Sequence, residues 1–111
     1  FYGKPRVDRE LLAQHHEGII VTSACMAGEV ASHLLEGRDD EAAAVAAWYA
    51  ELFKGRYYLE VQAHRSEGQD ALNAKVFALA DRLGLPVVAT NDAHFLAHED
   101  HDAHDVLLCI G

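Results

Sequence analysis

The stretch Gly84-Leu85-Pro86-Val87-Val88-Ala89-Thr90-Asn91-Asp92-Ala93-His94 decides the fold. Gly84 stops a helical pattern, and Pro86 stands at the first position of a strand, where its missing donor does least harm. Val87 to Thr90 is a short apolar run of the kind buried in a parallel sheet. Beyond it, Asp92 and His94 bracket one residue, so an extended segment of period two puts both on one side. An oxygen donor beside an imidazole suits zinc, manganese or iron. The plainer alternative is an Asx turn next to a histidine satisfied within the fold.

Upstream, Leu72, Val76, Leu79, Ala80 and Leu83 form the stripe of a helix that begins at Ser66 or Glu67. It follows a strand, Tyr57-Tyr58-Leu59-Glu60-Val61-Gln62, which has a polar group at every second position and ends at Ala63-His64. A helix from Asp39 or Asp40 to Phe53 precedes that strand, and its alanine run, Ala42 to Ala47, allows close approach to a neighbour. Before it lie a helical stretch from Ala27 to Leu35 and a β-branched strand, Ile19 to Thr22, expected to be covered on both faces. A short helix capped by Asp8 opens the chain, and a helix from His98 to Cys109, acidic first and apolar later, is expected to dock on the rest.

Strands separated by helices of this length are parallel, with right-handed crossovers. The reading is α/β: three strands of a larger sheet or barrel. Ligands in such folds sit beyond the carboxyl ends of the strands. Each strand end carries a candidate metal ligand: Cys25 after the first, His64 after the second, Asp92 and His94 after the third. Strands ~4.8 Å apart let these side chains converge. Cys25 alone reads equally as a small buried hydrophobe, and His64 as a solvated loop residue. Glu60 shares the parity of Gln62 and His64, and supports the site or pairs with a cation on the strand face. His98, His101 and His104, interleaved with Glu99, Asp100, Asp102 and Asp105, could be mistaken for a metal cluster, but the spacing reads more simply as the acidic opening and solvated face of a helix, with His104 the one to watch. His15 and His16 sit at a helix end, where an imidazolium complements the dipole.

Composition bounds the rest. Over 111 residues, 50% are hydrophobic and 24% charged, and 9 basic against 18 acidic residues give a formal charge of -9. Such a chain is a globular piece and a poor binder of phosphate backbones by itself. Two cysteines outside any CxxC spacing point to free thiols in a reducing compartment, and no apolar run is long enough for a membrane, so a cytoplasmic location is expected. No glycine-rich dinucleotide or triphosphate loop and no nucleophile elbow is present, so no cofactor-binding residues are assigned.

Several segments resemble a known family: Phe1-Tyr2-Gly3-Lys4-Pro5-Arg6-Val7-Asp8, His16 to Ile20, Ser23 to Glu29, Tyr58 to His64, Gly84 to Phe95 and Glu99 to Ile110. They are similar to the PHP (polymerase and histidinol phosphatase) domain of bacterial DNA polymerase III alpha subunits. The resemblance implies a distorted (β/α)7 barrel with a multi-metal site at the carboxyl ends, of which residues 1–111 are a single incomplete segment, the later part. It implies that Cys25, His64, Asp92 and His94 are metal ligands for zinc or manganese, with no catalytic residue separable from them and further ligands upstream. It also implies a DNA-directed DNA polymerase as the whole chain, with magnesium at a polymerase site outside this segment. Primer-template DNA, deoxynucleoside triphosphates and replicase subunits such as the sliding clamp are the implied partners. The metal site is expected to hydrolyse phosphodiesters in the 3'-5' direction. A non-catalytic, metal-stabilised scaffold and a stand-alone phosphoesterase are the alternatives. Arg65 after His64, where glycine is frequent, and Met26 and Ala27, where leucine is common, depart from the pattern.

Overall fold

A computed structural model describes residues 7–63, 68–91, 93 and 96–110. Strands β1 (Val21–Thr22), β2 (Tyr57–Gln62) and β3 (Val87–Thr90) form one parallel sheet in the order β1-β2-β3. Helices α2 (Glu29–Leu35) and α3 (Asp39–Leu52) cross from β1 to β2, and α4 (Gln69–Leu83) crosses from β2 to β3. The α/β reading with crossover helices therefore holds. Helix α1 (Arg9–Gln14) precedes the sheet, and Asp8 caps it by accepting from the Leu11 amide at 2.8 Å. At its other end His16 Nδ1 bonds the Ala13 carbonyl at 2.9 Å, the contact expected of a histidine at a helix terminus.

The central strand sorts its residues by parity. Tyr57, Leu59 and Val61 are buried with Val30, Leu34, Ala42, Ala46, Phe53, Leu72, Val76 and Leu79 of the helical layer and its turns, while Tyr58 and Glu60 are half-buried on the opposite face. Ala42 and Ala46 are fully buried, so the alanine run does bring α3 close to its neighbours. Asn73 locks α4 onto the end of β2. Its amide donates to the Gln62 carbonyl at 2.8 Å, and its oxygen accepts from Gln69 Nε2 at 2.8 Å.

Two expectations need correction. The first strand is not Ile19 to Thr22, nor is it covered on both faces: it begins at Val21, where pairing with Tyr57 begins, and Ile20 is 69% exposed. Ahead of it the Arg56 guanidinium takes the His16 and Ile19 carbonyls at 2.7 and 2.9 Å, so that side chain replaces a strand partner. The last helix, α5 (His101–Ile110), follows a 3-10 turn at His98–Asp100 and does not dock on the sheet or its helices among the described residues: Val106, Leu107, Leu108 and Ile110 are exposed. An apolar stripe specifies a face, and what covers it depends on neighbours that the stripe does not encode. The fourth helix begins after Gly68; its expected start, Ser66 or Glu67, lies outside the described residues. Among the described residues no helix is long and apolar enough to cross a membrane.

Candidate metal centre

The carboxyl ends of β2 and β3 lie side by side, while β1 ends four residues short of them, opposite Tyr58. Thr22 is registered with Tyr58, and Thr90 with Gln62, so Glu60 lies between the last residues of both outer strands. Its carboxylate accepts from Thr22 Oγ1 at 2.7 Å and from Thr90 Oγ1 at 3.0 Å, with Gln62 Nε2 at the margin of bonding, 3.5 Å away. Of its two anticipated roles, a strand-face salt bridge is not seen: among the described residues its partners are hydroxyls and an amide, and no cation pairs with it.

The turn after β1 presents Cys25. Ser23 closes the ladder twice, its amide donating to the Tyr58 carbonyl at 3.0 Å and its Oγ accepting from the Glu60 amide at 2.9 Å. The chain then turns at Ala24, the described non-glycine residue with positive φ (65°), and the Gly28 amide returns to the Cys25 carbonyl at 2.8 Å. A side chain at Gly28 has no room, because a Cβ there would stand 2.5 Å from the Ser23 carbonyl oxygen. The Cys25 thiol is half-buried and unbridged, and the exposed Cys109 is unbridged too, as expected of free thiols. Met26 reaches toward the next loop: its Cε would be 3.7 Å from a Cβ on Gly68. The turn bearing Cys25 therefore neighbours Gly68, which caps the start of α4.

Of the four expected ligands, Cys25 is at the expected strand end. His64, Asp92 and His94 lie outside the described residues, as does Arg65. A different donor set stands on α5. His101, Asp102 and Asp105 each offer an atom within 4.8 Å of the others, with His101 Nδ1 3.7 Å from Asp102 Oδ1 and 3.5 Å from Asp105 Oδ2. An imidazole and two carboxylates at this separation form a His/Asp set able to take a metal ion. From the sequence, this segment admits a metal cluster but reads more simply as a solvated helix face. All three are exposed, so the solvation part of the reading stands, and the i, i+1, i+4 spacing was the available signal. His104 is half-buried and is not part of the set.

Tyr57 marks the other side of the sheet. Burial raises its hydroxyl well above the usual tyrosine range, with smaller contributions from Tyr49 and Glu29, and among the described residues the hydroxyl has no partner. It lines a cleft of about 250 Å³ with Leu12, Ser23, Ala24 and Tyr49, directly behind the Cys25 turn.

Comparison with known proteins agrees with this arrangement. The PHP domain family matches residues 1–64. The DNA polymerase III alpha subunit of Treponema pallidum is 49% identical over 111 residues, covering 99% of this chain and 10% of that protein. The Deinococcus radiodurans alpha subunit is 46% identical over 110 residues, 99% of this chain and 8% of its own length, and the Thermus aquaticus subunit 40% identical over 110 residues, 99% and 9%. The chain thus spans about a tenth of the length of these curated relatives. With a parallel sheet whose two outer strands end at Glu60 and a family match over more than half of its residues, the chain belongs to the PHP domain family.

Proposed function

We propose that residues 1–111 are the later part of a distorted (β/α)7 PHP barrel within a bacterial replicative DNA polymerase III alpha subunit, acting in the cytoplasm. In this reading Cys25, His64, Asp92 and His94, completed by ligands upstream, hold zinc or manganese. The observation that carries it is the meeting of Thr22 and Thr90, the last residues of the two outer parallel strands, at Glu60 of the middle strand, with a half-buried, unbridged thiol on the turn that follows the first. Thiolate, imidazole and carboxylate donors together fit zinc, and the nitrogen and oxygen donors alone also fit manganese.

The ions would supply Lewis acidity toward a scissile phosphate, suited to 3'-5' removal of a mismatched nucleotide. The residues of this chain do the positioning. Ser23 and Gly28 fix the turn that bears Cys25, and Asp92 and His94 follow β3 in sequence. The net charge of -9 favours delivery of the DNA end by other parts of the polymerase, because this segment has few cations to offer phosphates. Magnesium, deoxynucleoside triphosphates, primer-template DNA and the sliding clamp belong in this reading to the rest of the subunit, and the segment by itself is inactive. Near-complete coverage by relatives about ten times longer favours the polymerase over a stand-alone phosphoesterase.

The test uses the full-length protein. Zinc and manganese content are measured in wild type, Asp92→Asn and His94→Ala, together with hydrolysis of a mismatched 3' end before and after chelation. Loss of metal in both variants and chelation-sensitive hydrolysis are expected. Unchanged metal content in both variants refutes the ligand assignment, whereas metal loss without any wild-type hydrolysis establishes the scaffold alternative, in which ligation contributes only folding free energy.

A further inference from the structure

We infer that Glu60 is a positioning residue of the metal centre, a carboxylate clamp that ties the last residues of β1 and β3 to the middle strand and so sets where the ligand-bearing turns leave the sheet. The inference rests on the metal-site reading proposed above.

The clamp joins the strand ends at their last residues. Thr22 is the final residue of β1 and Thr90 the final residue of β3, and both hydroxyls donate to the same carboxylate, one to each oxygen. Three residues on from Thr22 comes Cys25, and two residues on from Thr90 comes Asp92. Glu60 also joins the Cys25 turn through its backbone, since its amide donates to Ser23 Oγ at 2.9 Å. A carboxylate held this way is poorly explained as a device for stability. Half-burying a charge costs solvation, and hydroxyl donors return less than a cation would. A β-branched or aromatic residue at this position would pack on the sheet face without that cost. Among the described residues no lysine or arginine offsets the charge. The arrangement leaves a fixed negative charge on the sheet face between the last residues of β1 and β3, where it favours a nearby cation, with two hydroxyl donors holding that charge still. Groups that orient ligands rather than ligate often govern affinity as strongly as the ligands do.

The test measures zinc affinity of the full-length protein by competition with a chromogenic chelator, zinc being the only ion added. The variants are Glu60→Ala, the near-isosteric double Thr22→Val/Thr90→Val, and the ligand control Asp92→Asn. Hydrogen exchange of α3 and α4 in the metal-free protein reports whether the layer beneath the sheet is intact. Both clamp variants are expected to lose about tenfold or more in zinc affinity. Exchange in α3 and α4 should stay as in wild type, and combining Glu60→Ala with the double variant should add little further loss. A structural role alone would accelerate exchange in α3 and α4 and leave the affinity of the folded protein unchanged, which overturns the inference. If Asp92→Asn loses zinc while both clamp variants keep wild-type affinity, the inference fails and the metal-site reading survives. If Asp92→Asn itself retains zinc, the metal-site reading fails and the clamp falls with it. Should Glu60→Ala not fold, the double threonine variant decides by the same affinity criterion.

Discussion

Replacing Gly28 by alanine inserts a methyl group into the tightest described point of the turn that bears Cys25. The new Cβ would lie 2.5 Å from the Ser23 carbonyl oxygen, 3.1 Å from the Cys25 carbonyl oxygen and 3.5 Å from the Ala24 Cβ. The first two are backbone atoms, so relief requires the turn itself to move. Gly28 has φ -70° and ψ 160°, a conformation alanine adopts freely, so no dihedral strain is involved. Three terms compete. A stiffer unfolded chain stabilises the variant by about 0.4–1 kcal/mol. Alanine caps the start of α2 less well than glycine, at a cost of a few tenths of a kcal/mol or somewhat more. Overpacking against a fixed backbone costs roughly 1–3 kcal/mol and decides the sign. The net expectation is a loss of about 1–2 kcal/mol, a factor of roughly 5–30 in the local opening equilibrium. Hydrogen exchange of the Glu29 to Leu35 amides in the full-length protein reads that factor directly. Site-resolved alkylation of Cys25 should change with it, since the turn must shift to admit the methyl. Gly55→Ala is the control: its φ of +72° disfavours alanine by about 1–2 kcal/mol, yet nothing lies within 4 Å of the added Cβ, so Cys25 alkylation should stay as in wild type. Slower or unchanged exchange in α2 with unaltered Cys25 reactivity would refute the steric account of the turn.

Two further substitutions probe the layer beneath. Leu59→Ala empties a fully buried position on the helix side of β2, so an opening of about 2–5 kcal/mol is expected, seen as faster exchange throughout β2 and α4 rather than in α1. Tyr57→Phe removes a buried hydroxyl that has no partner among the described residues, and should stabilise by about 1 kcal/mol in urea unfolding of the chain followed at Trp48, its one tryptophan. Alkali should widen that gap. Below the ordinary tyrosine value of 10.0 folded and unfolded chains both keep the proton, and above it the unfolded chain loses the proton first because burial holds the folded hydroxyl protonated. Wild-type stability therefore falls as pH rises past about 10, and the phenylalanine variant lacks that contribution. Equal slopes in the two proteins would contradict it.

The sheet was legible because its signals are local. Period-two polarity in Tyr57–Gln62, the Gly84 stop and the alanine-rich α3 each act within one element. The misread parts depended on partners far along the chain. Ile19 and Ile20 have the composition of a strand, but pairing begins only where Tyr57 faces Val21, and Arg56 claims the earlier carbonyls. The apolar residues of α5 are as periodic as those of α4, yet α4 has β2 and α2 to cover it and α5 packs chiefly against the adjoining 3-10 turn. A metal cluster at His101, Asp102 and Asp105 was set aside because acidic residues in a first helical turn already have an explanation in the helix dipole.

The site was legible only as parity, and parity becomes geometry through register. Thr22, Glu60 and Thr90 meet because Leu59 faces Val87 and Val21 faces Tyr57. A slip of β3 by one residue would turn Thr90 toward the helical layer and bring Ala89 or Asn91 to Glu60, neither of which has a hydroxyl to give. The same slip would reverse the side on which residues two and four positions beyond Thr90, Asp92 and His94, are expected. The proposed clamp and the proposed ligand pair would therefore share one determinant, because a sequence that keeps Glu60 and Thr90 at this offset pins the register on which both depend. The register is also fixed from the opposite face, where Leu59 and Val61 are buried beside half-exposed Val87. Apolar burial on one side of β2 and a shared carboxylate on the other thus select the same alignment.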